Sequence, residues 1–267
     1  MSSAAEEYLI YQIANASMLE YPYPHMYVEQ VFEPDFYAEL RANWPESSSL
    51  TSLAETGRVS KGAYPDRFIL PFTKAGVAKL PEDRRTFWTE FGSWFLGSRL
   101  RDAVITRYAR YVNERFGDKA GRCRFEIDAL IVRDRTNYKI GPHTDAPHRL
   151  LSLLFYCPDD AGIKHLGTTI YVPRDPEFTC QGGPHYPHKQ FTPVKTMQYL
   201  PNSLFAFFKT DRSFHGVAPI GDENVLRDIL LYDIRVFNEK TAPAPQAGSL
   251  GVGMLRRLLG TAKPTTS

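Results

Sequence analysis

Cysteine is scarce in this sequence. Its 267 residues hold three, Cys123, Cys157 and Cys180, widely scattered and without a Cys-x-x-Cys. An odd, dispersed set reads as reduced thiols rather than as a disulfide framework. An excess of either charge is also missing. Lys plus Arg number 32 against 30 for Asp plus Glu, and no long basic run occurs. The electrostatic footprint of a nucleic-acid binder is therefore absent. No stretch approaches the ~18 apolar residues needed to span a bilayer. Glu6 and Glu7 occupy the start, with no basic flank before an apolar run, which is unlike a secretory signal. No repeat with a period of 20–50 residues is visible. These absences lead to the expectation of a soluble, cytoplasmic chain with no nucleic-acid or membrane partner. They say nothing of its oligomeric state.

Apolar residues are abundant instead. They make up 43% of the chain, enough for a substantial core, and the 13% aromatic share suits packed sheet faces. The length allows one large β-rich domain with helical additions, or two small domains. Residues 4–20 carry a loose apolar stripe of helical spacing, stopped by Tyr21-Pro22-Tyr23-Pro24. Residues 25–32 alternate as a strand, and Pro34-Asp35 opens a second helix running to Trp44. The polar stretch 45–66 predicts a long loop, a candidate lid. Pro81-Glu82-Asp83 starts another helix, expected to break near residues 92–97, and a further helix ends before Gly117. From Arg122 the character changes. Short runs at 125–132, 150–156, 168–172, 196–199, 203–208 and 229–236 alternate with Gly, Pro and Asp breaks. That pattern predicts a β-sandwich or barrel. Residues 241–251 read as a linker and 253–259 as one or two helical turns of a C-terminal tail. One domain over 1–240, with support at 1–121 and a core at 122–240, is the expected organisation.

The chemistry concentrates in Gly141-Pro142-His143-Thr144-Asp145 and, much later, Phe214-His215-Gly216-Val217. Two imidazoles and a carboxylate can bind Fe(II) on one face of an octahedron and leave the other face open. On an extended segment His143 and Asp145 share one side, with Thr144 turned away. Seven histidines make several such triples possible. His185 and His188 sit in a Pro/Gly-rich stretch and read as exposed or substrate-facing. His25, His148 and His165 read as structural. Arg227 opens the run Arg227-Asp228-Ile229-Leu230-Leu231. An arginine at the start of a buried strand needs an anion. Either one carboxylate of a small dicarboxylate or an ordinary ion pair, to Asp228 or Asp233, meets that need.

The order His-x-Asp, His, Arg resembles the Fe(II)/2-oxoglutarate-dependent oxygenases, in the branch similar to prolyl hydroxylases. Leu166-Gly167-Thr168-Thr169 stands where that family usually has Gly-Gly-x-Leu. Pro201-Asn202-Ser203-Leu204 and His215-Gly216-Val217 match the strand and turn before, and the residues around, the family's second histidine. The likeness covers roughly residues 122–237. It implies a double-stranded β-helix (jelly-roll, cupin-like) core, mainly β, with N-terminal helices packed on one sheet. It implies that His143, Asp145 and His215 bind Fe(II) and that Arg227, aided by Tyr156, holds the far carboxylate of 2-oxoglutarate. The cosubstrates would be 2-oxoglutarate and O2, with ascorbate as an aid in vitro and succinate and CO2 as products. A carboxylate at position 145, where related halogenases have a small residue, favours hydroxylation of a carbon, with desaturation, ring formation and demethylation left open. A small polar metabolite or carrier-bound intermediate is the expected substrate, with a protein side chain second. Arg133, Arg135, Tyr138 and Arg212 are candidates to line the pocket or to serve as rim or ion-pair residues. A metal dioxygenase that needs no 2-oxoglutarate and a non-catalytic jelly-roll binding module are the competing classes.

Overall fold

The computed structural model describes residues 2–60, 62–221 and 225–237. In chain order the elements are α1 (Ser2–Asn15), β1 (His25–Glu29), α2 (Pro34–Ala42), β2 (Thr51–Ser52), β3 (Arg67–Pro71), α3 (Lys74–Val77), α4 (Glu82–Phe95), α5 (Ser98–Arg107) and α6 (Ala109–Phe116). Strands dominate thereafter: β4 (Arg124–Asp134), β5 (Ile140–His143), β6 (Arg149–Tyr156), β7 (Thr169–Pro173), β8 (Phe191–Thr196), β9 (Ser203–Phe208), β10 (His215–Val217) and β11 (Arg227–Phe237). The expected tail, linker and final helical turns included, lies outside the described residues.

The strands form two antiparallel sheets. The large one runs β1-β9-β6-β11-β4-β3-β2 and the small one β5-β10-β7-β8. From β4 onward the chain crosses between them repeatedly, so β4, β6, β9 and β11 lie in one sheet and β5, β7, β8 and β10 in the other. This is the double-stranded β-helix, with helices on one sheet.

Strand period two decides what faces where. On β11, Leu230, Tyr232, Ile234 and Val236 pack with helix residues such as Leu9, Trp88, Phe91, Phe95 and Val104 in one core. The Phe95 ring meets Tyr232 edge-on at 5.0 Å, and Tyr108 Oη donates to the Ala206 carbonyl at 3.1 Å. Burying one such large side chain contributes roughly 1.5–3 kcal/mol, so this layer holds the sheet rigid behind the site. The alternate residues of β11 (Arg227, Ile229, Leu231, Asp233 and Arg235) face the space between the sheets, where Ile229 joins Leu130, Val132, Phe205 and Phe207.

Several expectations shift. The helix opened by Pro81 does break within 92–97, at Leu96-Gly97, and it continues through Gly92 because a single glycine weakens a helix by only about 1 kcal/mol. The strand expected at 196–199 is β8, five residues earlier and ending at Thr196. Its exposed Thr-Pro-Val-Lys composition gives little apolar signal. Among the described residues of 45–66 only short turns and β2 form, and β3 follows where no strand was expected.

Candidate metal centre and its cavity

His143 ends β5 and His215 begins β10, and the two are direct cross-strand partners. Their ring centroids are 4.4 Å apart. Strand β10 can approach this closely because residue 216 is glycine: a Cβ there would lie 2.6 Å from the Ile140 carbonyl oxygen. Asp145 follows two residues after His143. Between them Thr144 turns away, its hydroxyl donating to the Cys180 carbonyl at 2.7 Å. One ligand atom from each of His143, Asp145 and His215 lies within 4.8 Å of the others.

The hydrogen bonds fit a metal. His143 Nδ1 lies 3.0 Å from the Gly141 carbonyl and His215 Nδ1 3.0 Å from that of Ser213. A carbonyl only accepts, so each Nδ1 carries the proton and each Nε2 presents a lone pair, the tautomer a metal requires. Burial and the neighbouring His215 ring push His143 down to about 3, and burial lowers His215, so both are neutral near pH 7. Burial acts to raise Asp145, but the Arg149 guanidinium, the two imidazoles and the Ser152 hydroxyl outweigh it and hold its carboxyl below the usual range. Arg149 Nη1 donates to Asp145 Oδ1 at 2.7 Å and Ser152 Oγ to Oδ2 at 2.8 Å. Oδ1 is the oxygen 3.8 Å from His215 Nε2. Two neutral nitrogens and one fixed anionic oxygen suit a divalent ion of the Fe(II) kind.

The three side chains open onto a cavity of about 500 Å³ between the sheets. That size falls in the range of small-molecule sites. Its floor is the inner face of the large sheet, and strand register orders it into rows. At one end Arg227, Asp134 and Arg67 stand side by side on β11, β4 and β3. Arg227 Nη1 donates to Asp134 Oδ2 at 2.8 Å, and Arg67 Nε to Asp134 Oδ1 at 2.6 Å. The middle includes the apolar row Leu154, Leu231, Leu130. Beyond it Ser152, Asp233 and Asp128 form a second polar row. Arg227 and Asp233 are six residues apart, about 20 Å along an extended strand.

Arg227 is therefore in the cavity wall, fully buried, and its carboxylate partner is Asp134 rather than Asp228 or Asp233. Period two explains why. Asp228 faces the opposite side of the sheet, where it pairs with Arg133 and Arg41. The same parity takes Arg133 out of the cavity, while Arg135 lies over the Phe68 ring at 4.0 Å. Tyr138 does line the cavity, with Arg67 over its ring at 4.2 Å. Tyr156 stands behind the wall: its ring backs Arg227 at 5.6 Å, and its hydroxyl accepts from the Thr168 amide at 3.1 Å. Arg212 donates to the Pro176 carbonyl. The candidate lid within 45–66 supplies Leu53, Arg58, Val59 and Tyr64 to the cavity. Its Tyr64 Oη is 2.7 Å from Nε2 of exposed His185, whose ring lies tilted 4.9 Å from that of His143. His188 rests on Tyr171.

Arg149, Ser152, Asp134, Arg67 and Asp233 were not anticipated as site residues. Ser152 carried a signal: it is polar within the run Leu150-Leu151-Ser152-Leu153, which in a buried strand needs a partner. Arg67 and Asp134 carried none, since they meet only through sheet pairing.

No family model matches the chain, and no curated protein matches it. Among solved structures, a Pseudomonas putida prolyl-4-hydroxylase is similar at 14% identity, over 88% of this chain and 98% of that one, with a TM-score of 0.44. The non-heme alpha ketoglutarate dependent epimerase SnoN from nogalamycin biosynthesis is similar at 14% identity, over 92% of each chain, with a TM-score of 0.43. Streptomyces hygroscopicus HygX, solved with nickel and 2-oxoglutarate bound, is similar at 10% identity, over 79% of this chain and 82% of that one, with a TM-score of 0.43. At these identities and TM-scores the likenesses add nothing to the strand order already described. Among the described residues no helix is long and apolar enough to cross a membrane.

Proposed function

We propose that this chain is an Fe(II)- and 2-oxoglutarate-dependent dioxygenase that hydroxylates a carbon of a small polar molecule and releases succinate and CO2. The observation that carries this reading is a shared cavity. One space joins the His143, Asp145 and His215 side chains to a row holding two guanidinium groups and a single carboxylate, Arg227, Asp134 and Arg67. Such a row keeps one positive charge in surplus, and Arg227 is buried. A surplus buried cation calls for an anion from outside. A dicarboxylate with one end at the metal and the other at Arg227 supplies it. A metal dioxygenase without an oxo-acid cosubstrate has no use for this surplus.

In this reading His143, Asp145 and His215 would hold the iron. Iron and the oxo acid, when bound, would supply the oxidative decarboxylation that converts C–H to C–OH. Arg227 receives the far carboxylate, with Thr168 and Tyr138 beside it, and Tyr156 supports Arg227 from behind rather than touching the ligand. Arg149 and Ser152 fix the Asp145 carboxylate. Leu53, Val59 and Tyr64 cover the mouth and limit water. Residues 1–240 would act as one catalytic domain. Three free thiols suit a reducing cytoplasm, where Fe(II) persists.

The test is anaerobic Fe(II) titration, followed by succinate measurement with 2-oxoglutarate and O2. Fe(II) uptake and Arg227-dependent succinate formation are expected. Failure of Fe(II) to bind, or succinate formation unchanged in Arg227→Ala, overturns the reading.

A further inference from the structure

At the end of the cavity away from Arg227, the polar groups are incompletely satisfied. Asp233 is only 1% exposed and lines the cavity. Its Oδ2 pairs with Arg149 Nη2 at 2.8 Å, but its Oδ1 is buried with no hydrogen-bond partner. Nε of Arg149 and Nε of Arg235 are likewise buried and unpartnered, and both side chains line the same space. Orphaned buried groups of this kind are costly until something satisfies them. Here one acceptor and two donors belong to side chains that line one cavity.

The charges narrow what that something is. Arg149 and Arg235 are cross-strand partners, a like-charge pairing that is unfavourable alone. Asp128 and Asp233 offset it: Asp128 pairs with both Arg58 and Arg235, and Asp233 with Arg149. With Asp145, three carboxylates face three guanidinium groups, so neither a bare cation nor a bare anion is favoured. A ligand carrying both an ammonium donor and a carboxylate acceptor satisfies the orphans and keeps the balance. The neighbouring row Leu154, Leu231 and Leu130 offers an apolar surface for the rest of it.

We infer that this end of the cavity is the substrate subsite, and that it takes an α-amino acid with an aliphatic side chain. Asp233 Oδ1 accepts from the ammonium group, and Arg235 and Arg149 donate to the carboxylate. The subsite names the substrate of the oxygenase reading, but its binding does not need iron.

Saturation-transfer NMR on the full chain without added metal tests this. The probes are L-leucine, L-isoleucine, L-valine and L-methionine, each also as its N-acetyl and its carboxamide form. At least one free amino acid should bind, with both blocked forms at least tenfold weaker. Asp233→Asn should weaken the free form at least tenfold. Arg235→Gln, at a side chain 31% exposed and so tolerant of change, should weaken the free form and the carboxamide to similar affinities. Thermal unfolding of each variant separates lost contacts from lost fold. No binding by any probe, or blocked forms binding as well as free ones, overturns the inference. Succinate formation without amino-acid binding would overturn the subsite alone. Amino-acid binding without Fe(II) uptake would overturn the oxygenase reading alone.

Discussion

Arg227 on β11 and Asp134 on β4 are direct cross-strand partners, with 2.8 Å between Nη1 and Oδ2 and no solvent exposure of either residue. Arg67 approaches the same carboxylate from β3. One anion thus serves two cations inside the cavity wall, and the surplus charge is what an incoming carboxylate would meet.

Replacing Arg227 should therefore have two separable effects. Arg227→Ala should abolish 2-oxoglutarate-dependent succinate formation. It should also destabilise the fold by only about 3 kcal/mol, the low end for breaking a buried pair, because Arg67 still neutralises Asp134. Arg227→Lys should retain the fold better but raise the KM for 2-oxoglutarate at least tenfold. An ammonium cannot serve the Leu166 carbonyl, Asp134 and a ligand with the planar fork that Arg227 uses. Succinate assays and denaturant titration check both.

The Asp145 supports should act on metal affinity. Arg149→Ala and Ser152→Ala each release one carboxylate oxygen, and groups orienting a ligand typically contribute 10–100-fold in affinity. Arg149→Ala should lie at the upper end, because it also frees Asp233. Anaerobic titration with Fe(II) or Mn(II) measures this.

The metal-free protein should lose stability in mild acid. His143 falls from its ordinary 6.5 to about 3 through burial and the His215 ring, and burial also lowers His215. Between those limits the unfolded chain binds more protons than the folded one, so stability drops as pH falls below about 6.5. Asp233 opposes this: burial raises it from 3.8 to about 6, and its folded form takes up protons more readily over that span. The melting temperature should fall from pH 7 to pH 5, and more steeply in Asp233→Asn. A flat profile would contradict the buried neutral imidazoles.

Gly216→Ala should damage the site through backbone alone. Its Cβ would press on the Ile140 carbonyl oxygen at 2.6 Å and part β10 from β5. Overpacking of this kind costs about 1–3 kcal/mol, and the His143–His215 spacing should widen enough to weaken metal binding. Thermal melts and metal titration would show both together.

Tyr64→Phe removes the 2.7 Å contact to His185 that ties residues 47–66 to the stretch before β8. The mouth should loosen, raising KM several-fold for the oxidised substrate with little change in stability. Steady-state kinetics and melts decide it.

The legible parts of this protein were those that depend on local pattern. Strand β9 and most of β6 and β11 were readable because short leucine-rich and aromatic runs bounded by turn residues signal strands wherever they pair. The triad was readable because His143 and Asp145 are neighbours in sequence and Thr144 must alternate away. β8 was misplaced because its exposed residues carry no apolar pattern, and β3 was missed beside a long polar stretch.

Sequence by itself determined the ligand types, their order and which residues of each strand share a face. Tertiary structure alone decided their partners. Asp134 rather than Asp228 meets Arg227, Arg149 bridges Asp145 to Asp233, and Tyr156 supports the wall from behind. The reason is physical: parity along a strand is fixed by the covalent backbone, whereas register between strands is fixed by which sheet, bulge and turn bring distant segments together.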